Sequence, residues 1–277
     1  MKIAHGGIDH RCKNESIIAP AWGAEVVSSN IVGYNKVTLS AGLNLLASQF
    51  VLVGGEQPTI NESVVVMSGQ SGYDDDSFDP TTELRVWTGG GYDTFGWTGN
   101  LLTDSPNMAA EMGVDDDSLN NKWLTDSYEE AEEPLNTALG YWLKAGSAGT
   151  VTFSGEVPSS DTVTVQISAG LNLVSYPWPM DVDLKNIQMN GQSGYDDDSF
   201  DPTTELRVWT GGGYDTYGWT GSLLVDSPNM ASEMGVTDNS LDNLWLNDSY
   251  EVPDEPLPIG KGFWIKAQKA GSVTFKK

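Results

Sequence analysis

The chain has 277 residues, with 39 acidic against 14 basic side chains and a formal net charge of −25. That charge argues against binding to nucleic acids or to anionic lipid surfaces, since both partners are polyanions. No apolar run approaches the roughly 20 residues of a membrane span, and the one cysteine and both histidines lie within the first twelve residues. The remaining residues therefore lack disulfides, zinc-type sites, and cysteine or histidine nucleophiles.

Residues 1–24 differ in composition from the rest of the chain. Met1-Lys2 and the small residues of 19–24 suit the two ends of a secretory signal, whereas the middle, HGGIDHRCKNES, is too polar for its apolar core. The segment is interpreted either as the remnant of an export signal or as an N-terminal arm. We expect export, and with it an extracellular or cell-surface location.

A tandem duplication dominates the sequence after residue 24. Residues 69–128 align with 191–250 at a constant offset of 122 and differ at nine positions, and residues 37–50 match 165–178 at an offset of 128. The boundaries predict two β domains, residues 25–154 and 155–277. At roughly 100 to 150 residues a domain holds its own core, so each repeat is long enough to fold around one.

Strand signals are the most frequent along each repeat. In the first repeat, segments rich in Val, Ile, Thr, Tyr and Trp, bounded by Gly, Asn and Ser, predict strands at 31–39, 43–53, 62–67, 83–88, 139–145 and 149–154. The second repeat has counterparts. The Gly89–Gly91 run predicts a turn with positive φ.

Two short helices are predicted in each repeat. The first covers Pro106–Met112, with Ser105 as the N-cap and Gly113 just past the end. The second covers about 118–125. Together these elements predict a mainly-β fold of two tandem β-sandwich or jelly-roll-like domains with short helical insertions.

An aspartate-rich loop, YDDDSFDP, occurs at 73–80 and again at 195–202. Alternating carboxylates in a loop supply the hard oxygen ligands that Ca²⁺ prefers. The predicted calcium ligands are Asp74, Asp76, Asp79, Asp196, Asp198 and Asp201. The spacing does not match an EF-hand, and the alternative is a solvated acidic turn begun by the Asp-Pro dipeptide.

Tryptophans recur in register between the repeats, as Trp87/Trp209, Trp97/Trp219, Trp123/Trp245 and Trp142/Trp264. Aromatic residues at fixed positions in a β domain favour core packing. The alternative is an exposed platform on which sugar rings stack. That alternative supports a second function, a monomeric adhesin or carbohydrate-binding module whose Trp, Tyr and Asp-rich loops bind glycans.

No pattern singles out a catalytic group. A glycosidase needs two carboxyl groups at a defined separation, but chance alone produces such pairs among 39 acids. We therefore expect no enzymatic activity and no cofactor other than calcium. Asn-x-Ser triplets predict glycosylation at Asn61 and Asn247, which occupy non-equivalent positions in the two repeats.

The ends of the repeats suggest a mode of assembly. The segment after the first repeat, 154–160, has a counterpart at 23–29, whereas no such segment follows Phe275. If 155–160 packs on the first repeat, then 24–30 of a second molecule is expected to pack on the second repeat. Such strand addition uses main-chain hydrogen bonds at a sheet edge, and a heterologous contact that does not close gives an open filament.

The predicted polymerisation residues are Glu25, Val26, Val27, Ser28, Ser29 and Asn30. In the alternative arrangement, this segment folds back on its own domain.

Three stretches carry a resemblance to a known family. AEVVSSNIVGYNKVTLSAGLNLLASQF (24–50), RVWTGGGYDTFGWTG (85–99) and GYWLKAGSAGTVTFSGEV (140–157) resemble secreted, β-rich tandem-repeat proteins of environmental bacteria. The chain also looks similar to subunits of extracellular helical filaments that assemble by strand donation. The resemblance implies a secreted, non-enzymatic, fimbria-like structural subunit that polymerises with itself. Residues 1–23 depart from the apolar export signal expected of that family.

Overall fold

The computed structural model describes residues 32–63 and 66–277. The predicted polymerisation segment and the N-terminal arm lie outside the described residues. Every paired strand in the described ranges is antiparallel. The sheets of these ranges therefore combine strands that are close in sequence with strands that are distant, without the crossover connections that parallel strands need.

The described part of the first repeat is mostly strand. Its strands are β1 (Val32–Leu39), β2 (Gly42–Leu46), β3 (Val66–Ser68), β4 (Glu83–Trp87), β5 (Tyr92–Trp97), β6 (Trp123–Leu124), β7 (Tyr141–Ala145) and β8 (Gly149–Glu156). Its helices are α1 (Ile60–Ser63), α2 (Leu101–Asp104) and α3 (Pro106–Met112), followed by a 3₁₀ turn at Asp117–Leu119.

The second repeat follows the same order. Its strands are β9 (Thr162–Ile167), β10 (Gly170–Ser175), β11 (Ile187–Asn190), β12 (Glu205–Trp209), β13 (Tyr214–Trp219), β14 (Trp245–Leu246), β15 (Gly262–Ala267) and β16 (Gly271–Lys276). Its helices are α4 (Leu223–Asp226) and α5 (Pro228–Glu233), with 3₁₀ turns at Leu184–Asn186 and Asn239–Leu241.

Each repeat forms one five-stranded and one three-stranded sheet. In the first repeat the orders are β2-β7-β4-β5-β6 and β1-β8-β3, and in the second they are β10-β15-β12-β13-β14 and β11-β16-β9. Val37 and Phe153 from the smaller sheet pack with Leu84 and Leu143 from the larger one in a single apolar core. The mainly-β, sandwich-like fold predicted from the sequence is therefore confirmed.

The helical insertion has an apolar cluster of its own. Leu101, Met108 and Ala109 pack with Tyr73 of the aspartate loop and with Leu124 of β6. The loop lies so close against the larger sheet that a Cβ at Gly96 of β5 would overlap the Tyr73 hydroxyl. A glycine is thus required at this position to let the loop approach.

Helix α3 has the predicted extent but not the predicted cap. Gly113 follows it with a φ of 70°, as expected for a glycine past a helix end. Ser105 precedes it, but its hydroxyl donates to the carbonyl of Tyr73 at 2.7 Å. The free N–H of Asn107 instead donates to Asp75, 32 residues earlier, at 2.7 Å. The loop therefore caps the helix from a distance.

The predicted helix at 118–125 is wrong. A single 3₁₀ turn forms there, because the Asp116 carboxylate accepts from the N–H of Ser118 and holds the first residues in a tight turn. Asn121 then adopts a left-handed conformation with a φ of 57°. That turn directs Trp123 into β6, where it pairs with Trp97.

Candidate assembly and binding surfaces

The two repeats contact each other through reciprocal hydrogen bonds. The indole N–H of Trp87 donates to the carbonyl of Leu171 at 3.0 Å, and that of Trp209 donates to the carbonyl of Leu43 at 3.3 Å. Trp209 is the counterpart of Trp87, and Leu171 is the counterpart of Leu43. Each repeat therefore donates one indole hydrogen bond to the other repeat and accepts the equivalent bond from it.

Main-chain bonds repeat this exchange. The N–H of Ala47 donates to Gly260 at 3.1 Å, and that of its counterpart Ser175 donates to Ala138 at 3.0 Å. Ala138 is in turn the counterpart of Gly260. The two repeats are thus related by an approximate two-fold axis.

An apolar cluster occupies the interface between the two larger sheets. It contains Leu45, Trp142, Leu173 and Trp264, with Trp87 and Trp209 packed against it. The Trp87 and Trp264 rings meet edge to face with centroids 5.3 Å apart, and the reciprocal Trp142–Trp209 pair is 5.5 Å apart. We call this set of six residues the inter-repeat cluster. Because it is isologous, the same patch meets its own counterpart and the contact closes on itself.

The remaining recurrent tryptophans confirm the core prediction. Trp97 and Trp219 are 2% and 1% exposed, and Trp123 and Trp245 are buried equally deeply. These rings present no face on which a sugar could stack. The exposed aromatic rings in the described ranges are tyrosines, among them Tyr128 at 42%.

The aspartate loop is ordered by its own carboxylates. Asp74 accepts from the N–H groups of Asp76 at 3.1 Å and Ser77 at 2.9 Å. The bonds from Ser77, followed by that from Asp76, hold the pKa of Asp74 below its usual range. Asp76 and Asp79 are exposed, and Asp196, Asp198 and Asp201 repeat the arrangement. No group of three or more Asp, Glu, His or Cys side chains in the described ranges is placed to hold a metal ion, and calcium stays a prediction.

The two predicted glycosylation sites differ in environment. The Asn61 side-chain nitrogen donates to the carbonyls of Ala131 at 3.0 Å and Trp123 at 3.3 Å. The Asn247 side-chain oxygen accepts from the N–H groups of Ser249 and Glu251. Both amides thus order nearby backbone, and glycosylation stays a prediction.

The end of β8 packs on the first repeat, so the condition of the strand-addition hypothesis, that 155–160 packs there, is met only in part. The carbonyls of Pro158 and Ser160 accept from the indole of Trp178 in the second repeat instead. Glu156 exchanges two main-chain bonds with Val51, of 2.8 and 2.9 Å, and is paired on its other side with Val32. Its carboxylate accepts from the N–H of Gly54 at 3.1 Å. Val157 then packs against the cores of both repeats. The Gly-Glu-Val segment is thus held mainly by its backbone.

Exposed apolar side chains surround this strand end. Val32 and Tyr34 are 70% and 76% exposed, and Val53 is 81% exposed. The counterparts of Val32 and Tyr34 in the second repeat are Ser160 and Thr162, which are both polar, whereas Val53 lies in the stretch where the first repeat is longer than the second. We call Val32, Tyr34 and Val53 the edge patch. Because it is confined to one repeat, it is not a general requirement of the fold.

A groove lies between the aspartate loop and α3. It has a cavity volume of about 410 Å³ and is lined by Phe78, Met108, Glu111, Met112, Ser127 and Tyr128. Phe78 and Tyr128 both have a φ of 61°. A non-glycine residue in this conformation costs on the order of 1–3 kcal/mol. We call it the Phe78–Tyr128 groove.

The second repeat has the same residue types at all six positions, Phe200, Met230, Glu233, Met234, Ser249 and Tyr250. Its two aromatic residues are also left-handed, with φ of 61° and 59°. The groove could not be predicted from the sequence, because the left-handed conformation of an aromatic residue has no sequence signature.

Comparison with known proteins finds no matching protein-family model, no matching curated protein and no matching solved structure. Among the described residues, no helix has the length and apolar content needed to cross a membrane.

Proposed function

We propose that the chain is a secreted structural subunit that polymerises head to tail into an extracellular filament, without catalytic activity. The packing of Gly155–Val157 on the first repeat is the observation that carries this proposal. A segment of the same pattern, Ala24–Val26, occurs once more in the chain. In a neighbouring molecule, Glu25 of this segment takes the place beside Ser160, the counterpart of Val32, because the N–H of Lys277 already donates to the carbonyl of Asp161 at 3.0 Å.

Three further features support this proposal. Glu156 is held through backbone bonds, which any segment of suitable backbone conformation reproduces. The edge patch exposes apolar side chains, two of them where the other repeat is polar, which is typical of a contact surface. The inter-repeat cluster closes on itself, so growth of a filament requires a second, heterologous contact such as the proposed strand addition.

The net charge of −25 suits an extended assembly. Like-charged surfaces keep neighbouring filaments apart by mutual repulsion and so favour solubility. Association then depends on local apolar and backbone contacts, and raised salt should strengthen it by screening the repulsion.

The test is a pair of substitutions at Val26 in the full chain. Val26→Pro removes a main-chain N–H and restricts the backbone, whereas Val26→Thr keeps both and retains strand propensity. Sedimentation and light scattering should show polymer for the parent and Val26→Thr, and a monomer for Val26→Pro. Equal polymerisation of all three chains would contradict strand addition, and a monomeric parent would contradict the filament itself.

A further inference from the structure

The Phe78–Tyr128 groove combines aromatic, thioether and carboxylate groups. Met108 is buried at its base, Phe78 and Met112 are half-buried, and Tyr128 is 42% exposed. The ring of Tyr128 lies edge to face with Tyr73, with centroids 6.2 Å apart, which fixes one side of it. The lining contains one charged side chain, Glu111, and no basic one.

The backbone of the groove is strained in both repeats. Glycine or asparagine adopts positive φ at low cost, and Asn121 does so nearby. Aromatic residues hold the two positions that face the groove instead, four times in the chain. Strain of this kind persists where the side chain it presents has a role. Phe78 and Phe200 pack against the apolar clusters of the helical insertions, but Tyr128 and its counterpart Tyr250 are too exposed for their role to be core packing.

The charge around the groove is strongly negative. Residues 69–133 contain 16 acidic and two basic side chains, and residues 191–255 contain 14 acidic and one basic. Arg85 is paired with Glu83 and Lys122 with Glu130, at 2.5 and 2.8 Å. Arg207 is likewise paired, with Glu205. Such a field attracts cations to the groove and repels anions.

We propose that the Phe78–Tyr128 groove, and the equivalent residues of the second repeat, each bind the ammonium group of a free quaternary ammonium compound such as choline. Aromatic faces attract a cation whose charge is spread over methyl groups, and thioethers provide apolar contact for those methyls. Glu111, or Glu233 in the second repeat, supplies the opposite charge. This activity goes beyond the proposed filament and does not depend on it.

Neutral sugars fit the groove less well. Sugar recognition requires several hydrogen-bonding side chains around an aromatic face, and the lining offers Ser127, Glu111 and the Tyr128 hydroxyl beside two methionines and a phenylalanine. The apolar and acidic character of the lining together select a cation with apolar substituents.

Methionine methyl signals provide a direct test with controls in the same molecule. The full chain, labelled with ¹³C at its methionine methyls, is titrated with choline and with its uncharged carbon isostere 3,3-dimethylbutan-1-ol. Choline should shift the signals of Met108, Met112, Met230 and Met234 in a saturable way. Met180, which is 43% exposed and far from either groove in sequence, reports non-specific effects and should not shift. The isostere should bind at least tenfold more weakly.

Matched variants separate the charge from the aromatic contribution. Glu111→Gln combined with Glu233→Gln should weaken choline binding by about 3- to 10-fold, while Tyr128→Phe combined with Tyr250→Phe should change it less than threefold, because the ring remains. Equal affinity for choline and the isostere would overturn the proposal, as would a matching shift of Met180. Saturation of the same methyls by an oligosaccharide, but not by choline, would also overturn it.

Discussion

Tyr141 is the clearest case in which equivalent buried positions of the two repeats differ. It is 1% exposed, and its hydroxyl has no hydrogen-bond partner among the described residues. Burial raises the pKa of this phenol well above its usual value. The counterpart is Phe263, which fills the same place in the second core without a polar atom. A buried hydroxyl without a partner destabilises the fold it belongs to.

Tyr141→Phe should therefore raise the free energy of unfolding by about 1 kcal/mol, because it removes an unpaired polar group and leaves the ring in place. The matched control, Phe263→Tyr, should lower it by roughly 1–3 kcal/mol. Urea denaturation followed by tryptophan fluorescence measures both. A loss of stability in Tyr141→Phe would show that the hydroxyl is satisfied.

At the residue scale, the sequence predicts which side chains are buried better than it predicts their hydrogen-bond partners. The burial of Trp97 and Trp219 follows from apolar residues recurring in β segments. That Asp75 caps α3 in place of Ser105 could not be predicted, because the two groups are 32 residues apart. Local capping rules consider only the residues next to a helix end.

At the scale of elements, a charged triad ties β4 to β7. The Glu83 carboxylate accepts from Arg85 Nε at 2.9 Å and from Lys144 Nζ at 2.5 Å, and Glu205 repeats the arrangement with Arg207 and Lys266. Burial pushes the pKa of Glu83 upward, but the bonds from Lys144 and Arg85 outweigh it and leave that pKa below its ordinary value of 4.5. The same holds for Glu205.

The sign of this shift predicts the pH dependence of stability. A carboxyl with a lowered pKa in the folded state stabilises the fold above its unfolded pKa, and the stabilisation is lost as the pH falls through the folded value. Glu83→Gln combined with Glu205→Gln should lower the melting temperature at pH 7, and the difference from the parent should shrink below pH 4.5. Melting curves between about pH 3 and 7 test this. A difference that stays constant to the lowest pH would contradict it.

The elements themselves were predicted unevenly from the sequence. The segments 31–39, 83–88 and 139–145 became β1, β4 and β7 with small changes at their ends. β5 and β6 were missed because Gly96 and the Asn120–Asn121 turn interrupt their patterns. These strands form through pairing with neighbours rather than through propensity of their own.

At the scale of the whole molecule, the duplication is arranged as an internal dimer. Gly140 and Gly262 face each other across the approximate axis, where a Cβ on either would lie 3.0 to 3.1 Å from the Cα of the other. The segment joining the repeats is held as well, because the indole of Trp178 donates to the carbonyls of Pro158 and Ser160. The two cores are thus coupled at the inter-repeat cluster and at the segment that joins the repeats.

Removing the reciprocal tryptophans should uncouple the repeats without unfolding them. Trp87→Ala combined with Trp209→Ala deletes both indole bonds and both edge-to-face pairs between the repeats, for a loss of at most about 3–5 kcal/mol per site because the two indoles are half-buried. We expect native-like far-UV dichroism, an unfolding transition that separates into two, and faster proteolysis near Ser159. Val225→Ala, at a side chain 78% exposed, is the control. A single unchanged transition in the double variant would contradict the coupling.

The duplication is visible in the sequence, but its geometry is not. A constant offset relates Trp87 to Trp209 whether the repeats meet head to tail or about a two-fold axis. The reciprocal contacts in the structure, such as the bonds between Trp87 and Leu171 and between Trp209 and Leu43, distinguish the two arrangements. The same limit applies to the grooves, whose walls come from three separate segments of each repeat.

Electron microscopy of two purified chains tests the proposed filament most directly. One is the full-length chain, and the other begins at Asn30 and lacks the Glu25–Ser29 segment. Strand addition through the N-terminal segment should give filaments from the first and separate particles from the second. Filaments from both would contradict assembly through the N-terminal segment, and separate particles from both would contradict the structural role itself.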